Sequence, residues 1–172
     1  MRKEILFVCS ANTCRSAVAE AILFEYGRDR YDVSSAGIFA RDDTNMMPAC
    51  AEALEKMFGH GFSARSHTAQ RLSPHHMIHN DLIVAVTQYH AALVRAYYPH
   101  LSDKIVCFPN GGIYDISTLS GEALERAVER IRDGIFEMFL NDEYDRYFAD
   151  DEGIGVICRG AGKGLLFFSV EL

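Results

Sequence analysis

Long apolar runs are missing from this sequence of 172 residues. No stretch approaches the roughly 20 residues that a transmembrane helix needs, and the apolar start from Ile5 to Val8 is too short for a signal peptide. A cytoplasmic protein without a membrane partner is expected. An excess of positive charge is also lacking: 17 Lys and Arg stand against 24 Asp and Glu, a formal net charge of -7. Binding to a phosphate backbone needs clustered cations, so no nucleic-acid partner is expected. The five cysteines, at positions 9, 14, 50, 107 and 158, are odd in number and scattered, which argues for free thiols over a disulfide framework. No second ligand pair accompanies Cys9 and Cys14 at a zinc-site spacing, so no metal is expected. Gly162-Lys163-Gly164 lacks the G-x-x-x-x-G-K-[ST] spacing of a nucleotide loop, and a hairpin turn is the better reading. No cofactor is implied, and neither an internal repeat nor a low-complexity linker is found.

What remains is an ordinary globular composition, 49% hydrophobic and 24% charged, in a chain of single-domain length. Leu6 to Val8 give a short buried-strand signal, followed by helical apolar spacing through Val18, Ala19, Ile22, Leu23 and Tyr26. A second strand is expected over Tyr31 to Ser35, ending in Ala36-Gly37, and a helix from Pro48, stopped by Gly59 and Gly61. Ser63 to Pro74 reads as loop with at most one helical turn. The apolar run Leu82 to Val86 has the pattern of a central parallel strand. It is followed by a helix over Ala91 to Tyr98 and a strand over Lys104 to Phe108. Ser120 is placed to cap a long helix with an apolar face through Leu124, Val128, Ile131, Ile135 and Phe139. Strand alternating with helix predicts a single three-layer α/β domain, with a four-stranded parallel sheet covered on both faces. Residues 1–140 are expected to form it, and 141–172 a C-terminal extension, a possible β-hairpin, packed on the same domain.

The chemistry centres on the loop from Cys9 to Ser16, where a strand hands over to a helix. Ligands of parallel α/β sheets bind outside the carboxyl ends of the strands, facing helix N-termini. A thiolate is the reactive form of cysteine, and a helix N-terminus beside a fixed cation favours it. Cys9 has both. Backbone N–H groups curled over Ser10, Ala11, Asn12, Thr13, Cys14 and Arg15 would form a nest for phosphoryl oxygens. Arg15 would hold two of those oxygens with its planar fork, and Ser16 would donate its hydroxyl to the thiolate or the loop. The reaction this suits is attack by Cys9 on phosphorus, giving a cysteinyl-phosphate that water hydrolyses. A lone cysteine ending a core strand is more often structural; the C-x5-R-S spacing at a strand-to-helix junction favours chemistry.

Val8-Cys9-Ser10-Ala11-Asn12-Thr13-Cys14-Arg15-Ser16 resembles the signature loop of the low-molecular-weight protein tyrosine phosphatases. The likeness continues, in order, through Ser35-Ala36-Gly37, Ser66-His67, Asp81-Leu82-Ile83-Val84 and the last long helix. The resemblance implies hydrolysis of phosphotyrosine in a phosphorylated protein or peptide, with inorganic phosphate or sulfate able to occupy the loop. It also implies an aspartate acid, usually followed by proline. No Asp-Pro pair exists here, but counting back from the helix places Asp115 in register, with Ile116 where proline is usual. Asp115 would protonate the leaving group and later activate water; the other reading is an aspartate in a solvated turn. Asn12 and His67 match residues that brace the loop, and Phe39 is either a wall of the substrate cleft or part of the core.

Other departures and matches bear on activity and substrate. Ala11 replaces the usual glycine, which is tolerable only without positive φ, and Ala17 replaces a first-turn proline. Together with Ile116 they raise the prospect of reduced activity, and Ala11 and Ile116 motivate a weakly active phosphate-binding protein as an alternative; a phosphocarrier is a further alternative, against which the Arg15 clamp argues. Cys14 matches the family's second loop cysteine, which implies either a reversible protective disulfide with Cys9 or a structural role. Thr13 stands where tyrosine-specific members usually carry an aliphatic residue. Asn-Thr-Cys-Arg-Ser and Ser35 to Ala40 resemble the bacterial branch that acts on phosphoarginine. Phosphotyrosine is the family default and phosphoarginine the close rival. Arsenate reduction is not expected, since Cys50, Cys107 and Cys158 offer no further pair.

Overall fold

Short apolar strand runs alternate with helices of period 3.6 along the chain, and the computed structural model, which describes residues 2–59 and 66–140, shows where each segment goes. Strand β1 (Lys3–Cys9) leads through the loop into helix α1 (Arg15–Gly27), and strand β2 (Tyr31–Gly37) returns beside it. Then come α2 (Pro48–Phe58), α3 (Pro74–His79), β3 (Leu82–Ala85), α4 (Gln88–Tyr97), a 3-10 segment (Pro99–Lys104), β4 (Ile105–Cys107) and α5 (Gly121–Ile135). The four strands are parallel in the order β2-β1-β3-β4. This is the expected sheet. The proposed 141–172 extension and hairpin, and Cys158, lie outside the described residues.

The central position of β1 follows from its sequence, since Ile5 to Val8 have no exposed surface and so suit a strand covered on both faces. Alternate residues then serve different layers. Ile5 and Phe7 join Val18, Ile22, Leu54, Val128, Ile131 and Phe139 beneath α1, α2 and α5. Leu6 and Val8 join Met77, Ala91 and Val94 beneath α3 and α4. Each fully buried side chain of this size contributes about 1.5–3 kcal/mol. Two layers of helix therefore clamp β1 and fix where its last residue, Cys9, emerges.

Several boundaries differ from the sequence expectation, each for a local reason. Helix α3 begins at the end of the expected loop and runs over residues for which no element was expected: Pro74 sits in its first turn, and Ser73 and His76 exchange capping bonds. Helix α4 starts at Gln88, ahead of the expected Ala91, because Thr87 caps it by accepting the His90 N–H. Ser120 occupies the cap position of α5 but makes no side-chain cap bond, so the expected cap is not made there. The last helix keeps its α form only to Ile135; Phe136–Leu140 continue as a wider π turn with Met138 and Phe139 still buried.

Candidate active site

Cys9 ends β1 with 2% of its surface exposed. Its sulfur lies 3.0 Å from the Ser16 hydroxyl and accepts the Asn12 N–H at 3.2 Å. The end of β2 holds the loop from the side. Ile38 donates its N–H to the Cys9 carbonyl at 2.9 Å, and Phe39 donates to the Ser10 carbonyl at 2.8 Å. Gly37 makes this approach possible, because a Cβ there would stand 2.7 Å from the Ser10 oxygen. The N–H groups of Ala11, Thr13, Cys14 and Arg15 meet no acceptor among the described residues. Such a row of donors at a helix start can receive an anion.

Asn12, rather than Ala11, takes the left-handed conformation, with φ of 57°. Asparagine tolerates it better than most residues, so an alanine at position 11 imposes no such strain. Asn12 is fully buried and its polar atoms are occupied. Its side-chain amide donates to the Ser16 hydroxyl at 2.9 Å and the Ser35 hydroxyl at 2.7 Å, and its side-chain oxygen accepts the Gln70 N–H at 2.8 Å. His67 Nε2 lies 2.8 Å from the Asn12 carbonyl, an arrangement in which the ring donates. Ser35 donates to Glu20 at 2.5 Å, and His67 Nδ1 stands 3.4 Å from the same Glu20 oxygen. Burial pushes the His67 ring down, but Glu20 and the Asn12 carbonyl outweigh it, and its pKa is raised above the ordinary value near 6.5.

Arg15 opens α1 and has no ion pair among the described residues. Its charge is felt on two sides. His90 is 3% exposed, with Nε2 2.8 Å from the Ser10 hydroxyl and Nδ1 2.6 Å from the Thr87 hydroxyl. Burial first, and then Arg15, bring its pKa down to about 4. Asp115 is exposed and accepts the Ser117 N–H at 3.0 Å. The Ser117 N–H and hydroxyl, with a smaller contribution from Arg15, hold its carboxyl below the usual range. The Asp115 segment is itself fixed. Gly112 has φ of 99°, a Cβ on it would lie 2.5 Å from the Val86 oxygen, and Ile113 donates to that oxygen at 2.6 Å. Ile116, where proline was missed, is 4% exposed and joins the α5 side of the core. Burial of that side chain takes over the anchoring that a proline ring would give.

The structure thus brings Cys9, Asn12, Ser16 and His67 into one bonded network; Ser10 bonds separately to His90, and Asp115 lies within the electrostatic reach of Arg15. Phe39, whose N–H bonds to the Ser10 carbonyl, is 54% exposed, which places it on the surface and not in the core; Tyr114, next to Asp115 in sequence, is 78% exposed. Cys14 is not part of the Cys9 network: its sulfur lies against that of Cys50 at 2.7 Å. Glu20, Gln70, Thr87 and His90 were not singled out from the sequence. The Thr87-x-x-His90 spacing of a capped helix start was the one available signal for the last two.

Residues 4–111 match the family described as low molecular weight phosphotyrosine protein phosphatase. A protein-arginine-phosphatase of Bacillus subtilis (strain 168) is 32% identical over 146 residues, covering 74% of this chain and 93% of that protein. A low molecular weight protein-tyrosine-phosphatase, PtpB of Staphylococcus haemolyticus (strain JCSC1435), is 32% identical over 119 residues, covering 69% and 75%. Among solved structures, a low molecular weight protein tyrosine phosphatase from T. tengcongensis superposes with a TM-score of 0.73 at 27% identity, covering 77% of this chain and 95% of that one. On the strength of the shared sequence and fold, the chain belongs to the low molecular weight protein phosphatases, enzymes that remove phosphate from phosphorylated proteins.

Proposed function

We propose that Cys9 is the nucleophile of a protein phosphatase whose preferred substrate is phosphoarginine. The observation that carries the phosphatase reading is the pairing of a thiol held by Ser16 and Asn12 with a run of backbone donors and an Arg15 that has no ion pair among the described residues. In the first step the Cys9 sulfur forms an S–P bond as the P–N or P–O bond to the leaving group breaks. Asp115 gives the leaving atom its proton. In the second step Asp115 takes a proton from water, the water oxygen bonds to phosphorus, and the S–P bond breaks to restore the thiolate. Arg15 and the loop N–H groups hold the equatorial oxygens throughout, in both transition states.

Asp115 is held ionised in the free protein, yet its first task needs the acid form. The bound phosphoryl dianion resolves this by placing negative charge against Arg15 and near Asp115, which opposes the causes that keep its carboxyl low.

For the substrate, Thr13 is the deciding side chain. Its carbonyl is fixed by the Met47 N–H at 2.8 Å, and a hydroxyl in this position suits a polar guanidinium or a water better than an aromatic ring. The likeness to protein-arginine-phosphatases, which spans 93% of the Bacillus subtilis relative, supports the same choice. Phosphotyrosine is the second reading, favoured by the exposed Phe39 and Tyr114 as walls for a ring. The test compares kcat/KM on phosphoarginine and phosphotyrosine peptides for the wild type, Thr13→Ile and Cys9→Ser. The expected result is preference for phosphoarginine, reversed toward phosphotyrosine by Thr13→Ile and abolished with both substrates by Cys9→Ser. A preference untouched by Thr13→Ile refutes the assignment of Thr13, and turnover by Cys9→Ser refutes the nucleophile.

A further inference from the structure

Cys9, Cys14 and Cys50 are buried free thiols, and two of them, Cys14 and Cys50, face each other in a place that catalysis leaves unused. Cys14 caps the start of α1 and Cys50 lies in the first turn of α2. They are 36 positions apart in sequence, with Sγ atoms at 2.7 Å. A disulfide bond is about 2.05 Å long, so closure asks the two sulfurs to move by less than an ångström. The backbone already joins the same two segments, since Met47 donates to the Thr13 carbonyl at 2.8 Å and Cys50 donates to the Met47 carbonyl at 2.9 Å. Both side chains are buried, Cys14 at 6% exposure and Cys50 at 0%. A groove of about 380 Å³ lined by Asn45, Met46, Pro48, Ala51 and Glu52 runs along the same turn of α2, which brings solvent to the neighbours of Cys50. Only an oxidant about as small as water suits this burial.

We propose that Cys14 and Cys50 are an oxidation site: hydrogen peroxide converts them to a reversible disulfide that staples the phosphate loop to α2 and leaves Cys9 a free thiol. The staple goes beyond the phosphatase reading, and its formation does not depend on that reading. The chemistry balances as follows. The Cys50 sulfur, as thiolate, attacks a peroxide oxygen; the O–O bond breaks and hydroxide leaves with a proton as water, giving a Cys50 sulfenic acid. The Cys14 sulfur attacks the Cys50 sulfur, the S–O bond breaks, and the Cys14 proton leaves with the second water. Two thiols have lost two electrons and peroxide has become two waters. A dithiol reductant reverses the bond by exchange.

The electrostatics agree with this order of events. The hydrogen bond to Cys50 and burial push the Cys14 thiol well up, while the same hydrogen bond brings the Cys50 thiol down. Of these two thiols, Cys50 is therefore the first to offer a thiolate. Cys9 is held elsewhere, by Ser16 and Asn12, and Cys14 is turned toward Cys50, so the implied Cys9–Cys14 bond is not the pairing that this geometry favours.

The test treats the full chain and the variants Cys9→Ser and Cys50→Ser with a few equivalents of hydrogen peroxide. Remaining thiols are then alkylated and the peptides mapped by mass. The expected product is a Cys14–Cys50 cross-linked peptide, 2 Da lighter than the sum of its parts, in the wild type and in Cys9→Ser. It should be absent from Cys50→Ser and removed by dithiothreitol. A Cys9–Cys14 peptide as the main product of the wild type, or no cross-link in Cys9→Ser, overturns the proposal. Wild type oxidised with inorganic phosphate shielding the loop should keep turnover of p-nitrophenyl phosphate to within about twofold. Loss of turnover that dithiothreitol restores overturns the claim that Cys9 stays free. Because the cross-link is read by mass, its absence is distinguishable from a failure of the phosphatase reading.

Discussion

Replacing Asn12 tests how the loop is held, and two substitutions separate its two contributions. Asn12→Gly keeps a residue at ease with φ of 57° but removes three side-chain hydrogen bonds, those to Ser16, Ser35 and the Gln70 N–H. At about 1 kcal/mol each the loss is about 3 kcal/mol, and more where a partner is left buried and unpaired. Asn12→Ala loses the same bonds and adds a left-handed penalty of about 1–2 kcal/mol. For a protein with total stability of about 5–15 kcal/mol these are large fractions. In urea unfolding, the alanine variant should be less stable than the glycine variant by about 1 kcal/mol, with wild type about 3 kcal/mol above glycine. In thermal melts that corresponds to a fall of roughly 6–16 °C across the pair. kcat should fall in both, since Ser16 loses the partner that fixes its hydroxyl near Cys9. Equal stability of wild type and both variants would refute the idea that this buried network holds the loop. Equal stability of the two variants alone would refute the assignment of backbone strain to position 12.

Asp115→Asn should lower kcat by about 10²–10³ on a peptide substrate and by much less on p-nitrophenyl phosphate, whose leaving group needs little protonation; an equal fall on both removes Asp115 from the acid's role. Because the folded pKa of His67 is raised, its contribution to stability is full below about 6.5 and is lost as pH rises through the folded value. His90 works on the other side: with a folded pKa of about 4, it costs stability as pH falls from about 6.5 toward 4, where the unfolded chain takes up a proton first. Melting temperature against pH should therefore decline on both sides of neutrality, and His67→Gln should flatten the alkaline limb alone; an unchanged alkaline limb in that variant is the contrary result. Gly112→Ala puts a Cβ 2.5 Å from the Val86 oxygen at φ of 99°. It should cost about 2–3 kcal/mol in denaturant titration and lower kcat through Asp115, whereas wild-type values for both would show that this turn does not position the acid.

Periodicity made the sheet legible, because Ile5 to Val8 and Leu82 to Val86 have a run-length and composition that few other structures accept. The loop chemistry was legible for a different reason: Cys9, Arg15 and Ser16 sit within one tight turn, where spacing in sequence is close to spacing in space. The rest was hidden by distance along the chain. Gln70 reaches Asn12 across 58 positions and His90 reaches Ser10 across 80, and neither residue type marks such a contact. Cys14 and Cys50 could be counted but not paired, since pairing depends on how α2 packs against α1. Helix α3 was missed because its three histidines and single buried Met77 leave almost no apolar stripe; its cap, rather than its face, marks its start. Ile116 looked like a defect beside Asp115 until its burial showed what anchors the turn.

The charges around Arg15 fit together once treated as a set. Arg15 has no ion pair among the described residues, so it presents an uncompensated positive field there, and its neighbours respond as they must. His90, nearly buried, stays neutral and spends both ring nitrogens on Ser10 and Thr87; a protonated ring there would add a second cation against the first. Asp115 is drawn to its ionised form yet bonds to Ser117 and not to Arg15, so the guanidinium keeps its donors. Glu20, the carboxylate nearest the network, is occupied by Ser35 and His67 on the far side of Asn12. Among the described residues, these two acids are bonded elsewhere, Asp115 to Ser117 and Glu20 to Ser35 and His67. The arrangement costs stability in the free protein and returns it when a dianion binds, since the phosphate then meets a guanidinium and a row of N–H groups that no protein group has to release. A site arranged to bind a carboxylate monoanion or a neutral ligand would have no use for that much unpaired charge, which is why Arg15 and its unsatisfied surroundings, more than the thiol alone, point to phosphoryl transfer.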